Sequence, residues 1–191
     1  MNFPESYRAQ VFNAIERIDT SLVGRVIDVF REARDNGRHI FVCGNGGSAS
    51  TASHFACDIV KGASYEREKR FKIMALNDGL PTLMAYANDV GYDCVFAEQL
   101  KNFAQPGDVF MALSGSGNSP NVVAAMEYAN SVGCTTIALT GRDGGKLGPL
   151  AGIHIHVNEP HMGRIEDAHM VVCHMICYYF MERIDEVGRI P

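Results

Sequence analysis

Five short apolar runs, most of them separated by stretches of helical character, constrain this chain more than any other feature. They are HIFVCG (39–44), FKIMALN (71–77), DVFMALSGSG (108–117), CTTIALTG (134–141) and IHIHVN (153–158). Helices are expected at 48–61, 80–88, 93–104 and 119–132. Neighbouring parallel strands need a crossover, usually a helix, so this alternation calls for a parallel sheet with helices on both faces. The runs are nearly continuous in apolar residues, as strands buried on both sides must be. The expected class is α/β.

Two helical regions flank this pattern. Residues 4–36 read as helical: SLVGRVIDVFREARDNG carries Leu22, Val26, Val29 and Phe30 near helical period, and Gly37 suits a stop. The last helix, about 163–186, is long and contains MVVCHMICYYFM. A helix apolar nearly all round is buried, which on a chain of 191 residues suggests a subunit interface. That length suits one domain with a full-sized core.

The net charge of −5 argues against a general nucleic-acid binder. The basic cluster Arg67, Lys69, Arg70 and Lys72 reads as a solvated loop. No apolar run reaches ~18 residues, so no membrane span is expected, and MNFPESYRAQVF lacks the apolar core of a signal peptide. Cys43, Cys57, Cys94, Cys134, Cys173 and Cys177 form no CxxC pair. Buried free thiols in a reducing cytoplasm are the expected state.

Two strands end in unusual turns. One is Gly44-Asn45-Gly46-Gly47-Ser48, the other Ser114-Gly115-Ser116-Gly117-Asn118-Ser119, and each leads into a helix. Small residues let backbone approach an anion, helix-start N–H groups point at it, and serine hydroxyls add donors. Glycine and serine also build ordinary turns and N-caps. The density of serines favours phosphate or phosphosugar binding at 114–119. No Gly-Lys-Ser/Thr follows either turn, and GNGGSAS lacks the third glycine of a dinucleotide fingerprint, so no nucleotide cofactor is expected. In the helix after the first turn, His54 and Asp58 are four residues apart and share a face.

Taken in order, CGNGGSASTASHFACDIV, AYANDVGYD, LSGSGNSPNVV, LTGRDGGKL and GRIEDAHMVVCHMI resemble the SIS (sugar isomerase) domain family over nearly the whole chain. Within it the chain is most similar to the phosphoheptose isomerases. The resemblance implies a three-layer αβα sandwich with a five-stranded, doubly wound, flavodoxin-like parallel sheet. Residues 1–191 would form one SIS domain, with helices in 1–37 as an oligomerisation extension. A homotetramer with active sites at subunit interfaces would follow. The implied activity is aldose–ketose isomerisation of sedoheptulose 7-phosphate to D-glycero-D-manno-heptose 7-phosphate, in cytoplasmic lipopolysaccharide heptose synthesis.

The same resemblance implies the site. Ser114, Gly115, Ser116 and Ser119 would hold phosphate. Asn45, Gly46, Gly47 and Ser48 would line the sugar, with Asn88 and Asp89 of the AND motif beside them and Glu166 nearby. Asp58 and His174 would be catalytic. In some members the positions of His54, Asp58, Glu166 and His174 bind zinc, which implies up to one zinc ion per subunit. Iron, manganese and nickel remain alternatives for such a donor set. Two residues depart from the family pattern: Asp58 stands where a Glu is usual, and Glu166 where a Gln is usual.

The residues alone give a looser picture of the C-terminal helix. Glu166 and His174 are eight residues apart, about 80° around a helix axis. Helical spacing would pair Glu166 with His169, or Asp167 with His174. His154, His156 and His161 read as structural or surface groups, His154 and His156 sharing a strand face. Isomerisation through an enediol needs a base at carbon, a proton partner at oxygen and oxyanion stabilisation, which a carboxylate, a histidine and a metal can supply. The alternatives are an isomerase of another sugar phosphate, and a non-catalytic SIS protein that binds a replication initiator or senses sugar phosphates.

Overall fold

The computed structural model describes residues 2–183. Two helices come first, α1 (Phe3–Glu16) and α2 (Thr20–Asp35). The single helical region expected at 4–36 is broken at residues 17–19, because Asp19 caps α2 by accepting the Ser21 N–H. Then follow β1 (His39–Gly44), α3 (Gly47–Cys57), β2 (Lys72–Ala75), α4 (Leu80–Asp89), α5 (Val95–Phe103), β3 (Val109–Ser114), α6 (Pro120–Val132), β4 (Thr135–Thr140), β5 (Ile153–His156) and α7 (Met162–Glu182). The expected end of the last helix at 184–186 lies outside the described residues. None of the described helices is long and apolar enough to cross a membrane.

The five strands are all parallel, in the order β2-β1-β3-β4-β5. Side-chain alternation splits the core in two. Ile40, Val42, Val109, Met111 and Leu113 face a layer that includes α2, α3 and α7. Phe41, Cys43, Phe110 and Ala112 face α5 and α6 on the other side. The expected αβα sandwich is thus present. Strand order reverses between β1 and β3, and in such sheets ligands bind beyond the carboxyl ends at that switch. The two glycine–serine turns leave the sheet there, with Gly44 paired in register to Leu113.

Much of the apolar run of α7 is used inside the chain itself. Ala168, Val172, Cys173, Ile176, Cys177 and Phe180 are buried in the layer with α2 and α3, Ile165 is buried against Gly115 and Gly141, and Tyr178 stays exposed. Phe180 meets Phe71 edge-on at 4.9 Å between ring centres. Arg67 departs from the solvated-loop expectation: it is buried, and its guanidinium donates to the Met181 carbonyl at 3.4 Å. Lys69 instead pairs with Asp35 at 3.4 Å. All six cysteines are free of disulfides as expected, but only Cys43, Cys173 and Cys177 are buried; Cys94 and Cys134 are partly exposed and Cys57 is exposed.

His169 of α7 is fully buried, and neither ring nitrogen makes a well-formed hydrogen bond among the described residues, the Thr140 backbone being a polar neighbour of poor alignment. Burial pushes its imidazole down to about 4 from an ordinary 6.5, and the Thr140 backbone offsets part of this. Below pH 6.5 the unfolded chain takes up a proton that the folded chain refuses. Stability therefore falls from about pH 6.5 down to about pH 4 and then levels, by roughly 3 kcal/mol from this group. Urea unfolding at pH 7 and pH 4.5 should show a smaller loss for His169→Leu than for the parent chain. Equal losses would remove His169 as the cause.

Candidate functional site

The two turns meet over a cavity of about 250 Å³. From the first turn it is lined by Asn45, Gly46, Gly47 and Ser48, and from the second by Ser114, Gly115, Ser116 and Ser119. Met162 and Glu166 of α7 close it. Eight turn residues and Glu166 named from the sequence thus line one space. Gly46 takes φ +56, outside ordinary side-chain preferences, so that Gly47 starts α3 beside the cavity. A Cβ on Gly47 would stand 2.5 Å from the Glu166 carboxylate, so glycine is what lets α7 approach. A larger hollow of about 560 Å³ lies on another side of α3, against β2 and α5, and contains none of these loop residues.

Asn88 and Asp89 are not in this cavity. They are exposed at the end of α4, where the Asn88 amide donates to the Asp89 carboxylate at 2.7 Å. The chain then turns through Gly91, whose φ of +146 suits glycine, and brings Tyr92 to the site instead. The Tyr92 hydroxyl donates to Asn45 Oδ1 at 2.8 Å. Asn45 also exchanges amide hydrogen bonds with Asn121, at 2.8 and 3.0 Å. Sequence reading missed Tyr92 and Asn121. An asparagine within the apolar start of α6 was a weak signal for the second; the first had none.

The second half of the site lies further along α3. That helix ends at Cys57, and Asp58–Gly62 continue as a π turn closed by the Ala63 N–H on the Asp58 carbonyl at 3.0 Å. Such widened turns recur at functional sites. Asp58 Oδ2 lies 3.3 Å from His54 Nε2 and 3.8 Å from His174 Nε2. The two imidazoles meet edge-on at 5.3 Å. Asp58 also accepts the Cys177 S–H at 3.7 Å. Burial and then the Asp58 charge push that thiol up to about 12, so it stays protonated.

Ligand atoms of His54, Asp58 and His174 all lie within 4.8 Å of one another, and among the described residues they form the one such group. Two imidazoles and a carboxylate are a catalytic zinc donor set, and bonds of ~2.0–2.1 Å set tetrahedral edges of roughly 3.3 Å. The three residues fit a metal. Glu166 does not join them, contrary to the four-ligand expectation. The α3 and α7 helices run side by side in the same sense, with Glu166 opposite Gly47 and His174 opposite His54 and Asp58. Eight residues of α7 advance about 12 Å, which puts Glu166 at the turn end.

The remaining candidates take other partners. Asp167 accepts the Tyr7 hydroxyl at 2.7 Å rather than meeting His174. His154 and His156 do share a face, stacked at 5.5 Å, and bond to Thr140 and the Arg142 carbonyl respectively.

Residues 6–141 match the SIS domain family. The chain is 38% identical over 171 residues to a phosphoheptose isomerase of Helicobacter hepaticus, covering 89% of this chain and 86% of that one. It is 43% identical over 147 residues to the phosphoheptose isomerase of Aliarcobacter butzleri, covering 76% and 77%. Among solved structures, a phosphoheptose isomerase from Neisseria gonorrhoeae superposes with a TM-score of 0.85 at 31% identity, covering 92% of this chain and 95% of that one.

Proposed function

The chain belongs to the SIS domain family, and we propose that it interconverts sedoheptulose 7-phosphate and D-glycero-D-manno-heptose 7-phosphate. The observation that carries this is the layout along α3. The turn cavity lies at its start, and the His54–Asp58–His174 group begins two turns later. Seven residues from Gly47 to His54 advance about 10 Å. One open-chain sugar phosphate laid along the helix puts its phosphate at Ser114, Ser116 and Ser119 and its carbonyl end at Asp58.

There Asp58 removes the proton from C1 and the enediol is reprotonated at C2. His174 passes the proton between the two oxygens, and His54 holds Asp58 in place. Asn45, fixed by Asn121 and Tyr92, orients the sugar hydroxyls. His54, Asp58 and His174 would hold a divalent ion such as zinc, which would supply polarisation of the carbonyl. The half-exposed imidazoles, 49% and 41%, and Phe3 and Phe12 standing out on α1 support a homotetramer with sites completed at interfaces. Residues 1–37 then serve as an oligomerisation extension of a single SIS domain, in a reducing cytoplasm, with the product feeding lipopolysaccharide heptose synthesis.

Proton NMR of the purified protein with sedoheptulose 7-phosphate tests the reading. The aldose signal should grow, and in deuterium oxide the transferred hydrogen should exchange. A chelator should slow turnover at least tenfold, with zinc restoring it. No aldose under any metal condition would overturn the isomerase reading. Full turnover after chelation would overturn the metal.

A further inference from the structure

The turn cavity holds no cation. Apart from the Met162 thioether, its lining is backbone, hydroxyl and amide groups plus one carboxylate, that of Glu166. A phosphate dianion placed there is repelled by Glu166 and gains most from a charge-assisted donor close by.

Arg142 occupies the position that can supply one. It follows β4 in the turn 141–144, closed by the Gly144 N–H on the Gly141 carbonyl at 2.9 Å. Arg142 has φ +51, whereas Asp143 has no positive φ. Positive φ at the first central position alone is the pattern in which glycine is preferred. Glycines stand at 141, 144 and 145, yet the strained position carries an arginine. A bulky residue in that region persists when its surroundings over-determine it, and such residues cluster at binding sites.

The surroundings tie this turn to the phosphate turn. Gly117 packs backbone to backbone on Gly144 and Gly145 with no room for a Cβ. The Leu147 N–H donates to the Gly117 carbonyl at 2.9 Å, and the Lys146 N–H to Asn118 Oδ1 at 3.1 Å. The Arg142 backbone is pinned on both sides: its N–H donates to the Glu159 carbonyl at 3.1 Å, and its carbonyl accepts from His156 Nε2 at 2.9 Å. Its guanidinium is exposed and without a partner among the described residues. It lines a hollow of about 480 Å³ with Asn118 and Asn158, and Ser116 borders both that hollow and the turn cavity. Asp143, in the same hollow, accepts the Gly145 N–H at 3.1 Å.

We propose that Arg142 is the cation of this anion site, its guanidinium reaching past Ser116 to the phosphate of the substrate. This rests on phosphate occupying the 114–119 turn, so the test addresses both. Inorganic phosphate is titrated calorimetrically into the parent protein, Arg142→Ala, Arg142→Lys, Arg142→Gly and Ser119→Ala. Arg142→Ala and Arg142→Gly should each bind about tenfold more weakly and lose salt dependence, while Arg142→Lys keeps most of the affinity. Arg142→Gly should melt above Arg142→Ala, because only glycine relieves the strain. Parent-like affinity in Arg142→Ala overturns the proposal. If Ser119→Ala alone then binds weakly, the phosphate turn stands without Arg142; if it too is parent-like, or the parent binds no phosphate, both fall.

Discussion

Asp58→Asn lowers the isomerisation rate by about a thousandfold, the largest effect expected from any single change in this chain. The substitution keeps the shape of the side chain and removes the charge. Three groups converge on one oxygen of Asp58: the two imidazoles at 3.3 and 3.8 Å and the Cys177 thiol at 3.7 Å. An amide cannot take a proton from carbon, and a positioned base is worth about 10²–10⁴ in rate. The amide is also a poor metal ligand beside two imidazoles, so the zinc affinity proposed for this group should fall as well. Folding is little disturbed, because the π turn is closed by the Asp58 backbone carbonyl. NMR turnover, paired with a melting curve and a zinc titration, checks this. A variant that keeps more than a tenth of the parental rate would move the base elsewhere.

Gly117→Ala is expected to cost about 3 kcal/mol or more of stability and most of the phosphate affinity. Two causes add. Residue 117 has φ +64, which strains any other residue by about 1–2 kcal/mol. A Cβ there also runs into the Gly144 carbonyl oxygen, and two backbones cannot yield as side-chain tips do. For a chain of this length the loss corresponds to roughly 6–12 °C in melting temperature. Gly133→Ala is the control. It carries left-handed strain, at φ +86 and ψ +32, but a Cβ there meets only Pro106 at an ordinary 3.9 Å, so its loss should stay near about 1–2 kcal/mol. Similar melting temperatures for the two variants would show that the turn following β4 is not wedged against 117.

The sheet was legible because its signal is local and repeated. In β1 and β3 every second side chain enters one core layer and the rest enter the other, which makes each strand apolar throughout. The turns were legible because glycine and serine at strand ends have few other uses at such density. More than one helix was expected within 1–37, but the break between α1 and α2 was not located: the residues flanking it keep helical spacing, and one Asp19 cap decides it. Glu166 was named a metal ligand from the family resemblance alone; the angle of about 80° between it and His174 around the helix axis already spoke against the pairing, and in the structure it stands beside Gly47. Asn88 and Asp89 stand apart from the turn cavity of the single chain, at the end of α4, just before a glycine at φ +146 redirects the chain toward it. Arg67 was read as solvated, since nothing in a run of charges reveals that one member packs under the end of α7. Tyr92 reaches Asn45 across 47 residues, and no pattern within either segment encodes that meeting.

The adjacency of β1 and β3 has a thermodynamic consequence. Gly44 and Ser114 end neighbouring strands joined by an unbroken ladder from Ile40–Val109 to Gly44–Leu113. Both turns therefore leave the sheet at a separation the ladder has already fixed, and the donors of 45–48 and 114–119 are arranged before a ligand arrives. Little loop entropy is left to lose on binding. In the proposed complex the freedom surrendered would belong to the sugar chain, straightened along α3 to reach Asp58.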